Sequence, residues 1–162
     1  MKREILFRAK AVHDLQWVYG NFIHSKRFAG CGNEFRIHNQ DTGLESDIIP
    51  ETVGQFTGLV DKNGVEIFER DTLKCTYFKM ALGEGLGAQE IDAEIIGSVG
   101  FDGLSLCLQE IISERWEEYT GYAKREGDCR FALLHDVYEG SQDAEMGIEI
   151  IGNIHDNPEL LS

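Results

Sequence analysis

The chain has 162 residues, 42% of them apolar, with 15 Lys and Arg against 29 Asp and Glu for a net charge of −14. That length suits one domain, that apolar share suffices for a packed core, and no run approaches the roughly 18 apolar residues a membrane-spanning helix needs. Charges inside "MKREILFRAKAVHDLQW" break the apolar stretch a signal peptide requires, so a cytoplasmic protein is expected.

"REILFRAKAV" alternates polar and apolar and predicts a first strand, with Ile5 and Phe7 on one face and Leu6 on the other. Leu15 to Ile23 is rich in aromatic and β-branched residues and predicts a second strand, bent at Gly20 and Asn21. A short strand, Glu34 to His38, lies between two turn clusters. Val53 to Val60 and Val65 to Phe68 flank "DKNG", Asp61 to Gly64, where aspartate opens a turn and glycine closes it at positive φ. This is the strongest hairpin signal in the chain. After a bend at Glu69 to Asp71, Thr72 to Phe78 predicts a strand with Leu73, Cys75 and Tyr77 on one face.

"MALGEGLGAQE" is glycine-rich and predicts a flexible loop. "AEIIGSVGF" and "LSLCLQ" predict two strands around the tight pair Asp102-Gly103. The period then changes. Leu108, Ile111, Ile112, Trp116 and Tyr119 recur at helical spacing, so an amphipathic helix is expected near 109–120, with Glu110, Glu114, Glu117 and Glu118 outward. "CRFALLHDVY" and "GIEIIGNIHD" predict the last two strands, and "NPELL" a terminal turn or short helix that docks two leucines. The fold class is mainly β, all-β to α+β, and strands this short are expected to close into a small antiparallel barrel.

Three segments together resemble the YopX family of bacteriophage and prophage proteins: "REILFRAK", "ETVGQFTGLVDKNGVEIFERD" from Glu51 to Asp71, and "EIIGNIHDNPELL" from Glu149 to Leu161. They bracket nearly the whole chain, which implies one domain over 1–162. Their separation exceeds what a minimal member needs, so insertions are expected near 80–95 and 109–128. The resemblance implies a compact β-rich fold, a phage or prophage origin in a bacterial host cell, and no catalytic residues. The family carries glycine in the bend where this chain has Arg70; a side chain there would be strained, which argues against a left-handed conformation.

The charge is unevenly placed. Residues 1–79 hold 11 Lys and Arg and 11 Asp and Glu, whereas residues 80–162 hold 4 and 18, so the second half supplies the whole excess. Such a field repels phosphate, so direct duplex DNA binding is not expected. It could attract a basic protein or imitate DNA, although solubility alone is the plainer reading.

Candidate chemistry is sparse. "GEGLG" resembles a phosphate loop, but acids follow it where a lysine and a helix start are needed, so a plain loop is preferred. His24, Cys31 and His38 are zinc-ligand types, but their wide spacing and missing fourth partner favour coincidence, so no metal is expected. His135-Asp136 and His155-Asp156 are adjacent pairs; neighbours on a strand point to opposite faces and cannot form a relay. The cysteines Cys31, Cys75, Cys107 and Cys129 include no Cys-x-x-Cys pair and predict reduced, buried thiols. Lys26-Arg27 beside Phe28 is too small a basic spot for a nucleic-acid groove. Trp17, Tyr19 and Phe22 form one aromatic group, and Trp116 and Tyr119, with Tyr122, another. Such groups are usually core, and Trp17, Tyr19, Phe22, Trp116 and Tyr119 are also the candidates for partner contact.

These features lead to a non-enzymatic, cofactor-free protein-interaction or assembly module, acting on a protein partner or by self-association. The alternative is an acidic decoy or regulator of a host nucleic-acid-binding protein. An enzyme is the third class and would need a cleft with perturbed ionisable groups.

Overall fold

The computed structural model describes residues 5–25, 34–83, 87–103, 105–109, 132–134, 138 and 147–161. The chain divides into two compact units, Met1–Leu59 with Glu66–Glu69, and Val60–Val65 with Arg70–Ser162.

The first unit is built on β1 (Phe7–Lys10), β2 (Trp17–His24), β3 (Phe35–His38), β4 (Glu45–Asp47), β5 (Gly54–Val60) and β6 (Glu66–Phe68), in the sheet order β4-β3-β2-β1-β5-β6. The register pairs Phe7 with Gly20, Ala9 with Val18 and Phe22 with Ile37, so one face of the pleat carries Phe7, Ala9, Val18, Phe22, Phe35 and Ile37. That face is the core, with Ala9, Ile37 and Ile48 buried and Val53 packed beside them. Phe22 stacks on Phe35 with ring centroids 6.2 Å apart. The bend expected at Gly20 is absent, because β2 runs through it. Glycine is required there for a different reason: a Cβ would lie 2.1 Å from the carbonyl oxygen of His38 on the neighbouring strand. Thr52, in a 3-10 turn at Pro50–Thr52, clamps β1 by accepting the Lys10 N–H at 2.9 Å and donating to the Ile49 carbonyl at 2.7 Å.

The second unit holds β7 (Asp71–Gly83), β8 (Gly87–Asp102), β9 (Ser105–Gln109), β10 (Ala132–Leu133) and β11 (Gly147–Asn153), in the order β10-β9-β8-β7-β11. Its core includes Leu73, Cys75, Ile95, Cys107 and Leu108, each fully buried. β7 and β8 pair without interruption from Thr72 opposite Ser98 to Gly83 opposite Gly87. The glycine-rich loop expected over Met80–Glu90 is therefore strand on both sides of residues 84–86. A continuous ladder satisfies each backbone group and overrides weak local propensity. The hairpin at Asp102-Gly103 forms as expected, with Asp102 opposite Ser105 and Gly103 at φ 62°.

The fold is mainly β, but two sheets stand where a single small barrel was expected. Long β7 and β8, of 13 and 16 residues, organise a ladder of their own, and the described pairings close neither sheet. The expected amphipathic helix is not supported: Leu108 and Gln109 end β9, and residues 110–120 lie outside the described residues. Of the strand expected over 129–138, the described residues place Ala132–Leu133 in β10 and Leu134, buried, and Tyr138 in helical conformation; the others lie outside the described residues. The terminal turn is a 3-10 helix, Pro158–Leu161, and Leu160 sits so close over Gly152 that a Cβ there would lie 2.6 Å from its Cδ1.

Candidate functional site

The predicted β5–β6 hairpin is present, with its tip at Asp61–Gly64 and Gly64 at φ 79°. Asp61 organises the turn. Its Oδ1 accepts the Asn63 N–H at 2.8 Å and the Val65 N–H at 2.9 Å, and its Oδ2 accepts from the Asn63 amide at 3.3 Å. Burial by itself would raise the carboxyl pKa; the hydrogen bonds from Val65, Asn63 and Ile150 outweigh it and hold the pKa below the usual value. Within the second unit this tip covers the edge of β11. The Lys62 N–H donates to the Ile148 carbonyl at 2.8 Å, the Ile150 N–H donates to Asp61, and the Lys62 ammonium pairs with Glu149. An edge strand is thereby kept from pairing with another chain.

A second polar cluster joins two of the segments that carried the family resemblance. Asp71 and Asn153 face each other across β7 and β11, both buried, with Asn153 Nδ2 donating to Asp71 Oδ1 at 3.3 Å. The Asn153 side-chain oxygen accepts the His155 N–H at 2.9 Å. Arg70 Nη1 lies 3.2 Å from His155 Nε2. Arg70 has φ 71°, so the left-handed conformation is adopted although glycine is absent, contrary to the sequence expectation. Such a conformation costs about 1–2 kcal/mol for a non-glycine residue. Two backbone hydrogen bonds hold it: the Arg70 N–H to the Val99 carbonyl at 2.8 Å, and the Ile154 N–H to the Arg70 carbonyl at 3.1 Å. The cluster fastens the start of β7 to the chain's final turn. Asp156, beside His155, is exposed.

The face of the first sheet opposite its core carries aromatic and cationic side chains together. Arg8 is opposite Tyr19 and Lys10 opposite Trp17. The Arg8 guanidinium lies 4.7 Å from the ring centroids of both Trp17 and Phe68, and Lys10 Nζ lies 5.6 Å from Trp17. Tyr19 meets Phe68 edge-on at 5.7 Å, and Phe56 packs on Phe68 at 5.5 Å. Phe68 and Arg8 are buried, whereas Tyr19 is 41% exposed. Cation–π contacts within about 6 Å of a ring contribute roughly 0.5–2 kcal/mol each, rising with desolvation. Tyr19 is therefore an exposed ring on a braced platform. The same face continues to Arg36 and its ion pair with Glu45, where Val12, His13, Ser46 and Asp47 complete an open groove of about 340 Å³.

The structure brings Trp17 and Tyr19 together on this face and places Phe22 on the other, within the core. Trp116 and Tyr119 lie outside the described residues, as do Cys31, His135 and Asp136. His24 is opposite Phe35 and His38 opposite Asn21, so the two histidines take opposite faces of the sheet. His24 instead stacks on Phe35 at 4.6 Å. Among the described residues no group of three or more His, Cys, Asp or Glu is arranged to hold a metal ion, and no helix is long and apolar enough to cross a membrane. Burial pushes the Cys75 thiol up to about 12, which leaves it a poor nucleophile. Sequence reading missed the Arg8 sandwich and the Asp71–Asn153 pair. The signal for the second was available, since "ERD" and "GNIHD" both sit in the resembling segments.

No curated protein and no solved structure matches the chain. A family model described as YopX protein matches residues 6–162, nearly its full length. With β1, the β5–β6 hairpin and the β7–β11 junction carrying the three resembling segments, the chain belongs to the YopX family.

Proposed function

We propose that the chain is a non-enzymatic protein-interaction module that works in the cytoplasm of a bacterial host, encoded by a phage or prophage. The observation that carries this reading is Tyr19, 41% exposed on a platform formed by Arg8, Trp17 and Phe68. Interface hot spots are enriched in tyrosine, tryptophan and arginine braced by close packing. Half-buried Lys10, beside the Trp17 ring, adds a positive charge that favours an acidic partner surface. Residues 80–162, with 18 acids and 4 bases, give a second copy of the same chain the complementary charge. Self-association between the Tyr19 face of one copy and the acidic half of another is the contact we assign to it.

Sedimentation at several protein concentrations, at low and high salt, tests the assignment. The expected result is an oligomer that weakens as salt rises and is weakened again by Tyr19→Ala, a truncation on the sheet face opposite the Ala9, Ile37 and Ile48 core. A monomer throughout, or an oligomer indifferent to Tyr19 and to salt, would overturn it.

A second reading is supported by the confinement of the whole charge excess to residues 80–162. In it, the acids stand in for phosphates and engage a host nucleic-acid-binding protein. Its test is displacement of duplex DNA from basic proteins of the host by the purified chain. Displacement that disappears when acids of residues 80–162 are neutralised supports the decoy; DNA that stays bound counts against it.

A further inference from the structure

Asn63-Gly64 is the chain's only Asn-Gly pair among six asparagines. A following glycine leaves the next backbone nitrogen open to attack the asparagine side chain, since no Cβ obstructs the approach. Asn63 and Gly64 are both exposed at the hairpin tip. We propose that Asn63 is a site of spontaneous deamidation, restrained by Asp61, and that conversion loosens the tip's hold on the edge of β11.

The reaction consumes one water and releases one ammonia. The Gly64 nitrogen gives up its proton to solvent base and bonds to the Asn63 side-chain carbonyl carbon. The bond from that carbon to Nδ2 breaks, and Nδ2 leaves as ammonia with a proton from solvent. Water then opens the cyclic imide at either carbonyl. One opening gives aspartate. The other gives isoaspartate, in which the main chain runs through the side-chain carbons.

Asp61 opposes the first step in three ways. The Gly64 N–H donates to the Asp61 carbonyl at 2.9 Å, so the attacking nitrogen is occupied. The leaving group, Asn63 Nδ2, donates to Asp61 Oδ2 at 3.3 Å and is directed toward Asp61. The adjacent carboxylate also disfavours the anion that Gly64 must become. Conversion then acts on the same bonds. An isoaspartyl link lengthens the main chain between Asp61 and Val65, so Asp61 cannot keep both the Asn63 and the Val65 N–H. Either product sets a new carboxylate beside Asp61. Because Asp61 and Lys62 hold Ile150 and Ile148, the edge of β11 is released in turn.

The test incubates the intact chain at mildly alkaline pH and follows each asparagine by peptide mass mapping. Trypsin isolates Asn63–Arg70 between Lys62 and the next basic residue. Conversion should accumulate at Asn63 ahead of Asn39 and Asn153. Asp61→Ala should speed Asn63 by about tenfold, the factor one lost hydrogen bond supplies, while Asn39 and Asn153 keep their rates. If that variant does not fold, the wild-type chain still decides the matter. Its Asn63 should convert several-fold faster in denaturant, where the turn is gone, than in buffer. Chain carrying the converted residue, separated by charge, should exchange the Ile150 amide hydrogen faster. Asn63 converting no faster than Asn39 and Asn153, or equally fast in buffer and denaturant, overturns the proposal.

Discussion

Single residues account for much of how the described elements are held. Asp61 is the clearest case, because one carboxylate serves Asn63, Val65 and Ile150. Removing it orphans several N–H groups at once, and each costs roughly 1–3 kcal/mol when water cannot replace the partner. Asp61→Ala should lower unfolding free energy by about 2 kcal/mol in urea titration, a sum reduced because the tip is partly hydrated. The pH dependence has a definite sign. The folded pKa lies below the ordinary value of 3.8, so Asp61 stabilises the fold fully above that value and progressively less as pH falls beneath it. Urea midpoints should therefore drop between wild type at neutral and at acid pH by more than in Asp61→Asn. Arg70 offers the converse test. Its left-handed φ of 71° is a conformation glycine adopts without strain, so Arg70→Gly should raise stability by up to about 1 kcal/mol, less whatever the His155 contact contributes.

At the scale of elements, glycine positions separate what the sequence makes legible from what it does not. Gly64 could be read directly, because "DKNG" between two apolar runs specifies a turn needing positive φ. Gly64→Val should destabilise by at least about 1 kcal/mol, since a β-branched residue is strained there. Gly20 was legible only as an anomaly. Its role depends on His38, a residue 18 positions away on a neighbouring strand, and no local pattern encodes that approach. Gly20→Ala should break the β2–β3 pairing and cost about 2–4 kcal/mol, read as lost hydrogen-exchange protection confined to those strands. Strand identities were largely readable because alternation is a local property. The paired stretches at Ala81–Gly83 and Gly87–Glu90 were not, because their strand character comes from register with each other and not from propensity. The Trp17–Tyr19 pair was visible as an aromatic run. The Arg8 sandwich was not, since it needs Phe68, brought to it by the order of strands β2, β1, β5 and β6.

For the whole molecule, the separation of charge is the dominant physical fact: a balanced first half and a second half holding the full excess of 14 negative charges. Duplex DNA titrated at low and physiological salt should show no tight, steeply salt-dependent binding, because phosphate contacts require gathered cations. The same asymmetry makes one copy complementary to another if the Tyr19 face is the contact. The most direct measurement places a photo-crosslinking residue at Tyr19 in chain grown with light nitrogen, mixes it with unmodified chain grown with heavy nitrogen, and maps the mixed-isotope products. The account predicts crosslinks from position 19 of the light chain to residues 80–162 of the heavy one, lost at high salt. Products confined to single chains, or joined to residues 1–79 of the partner, would contradict it.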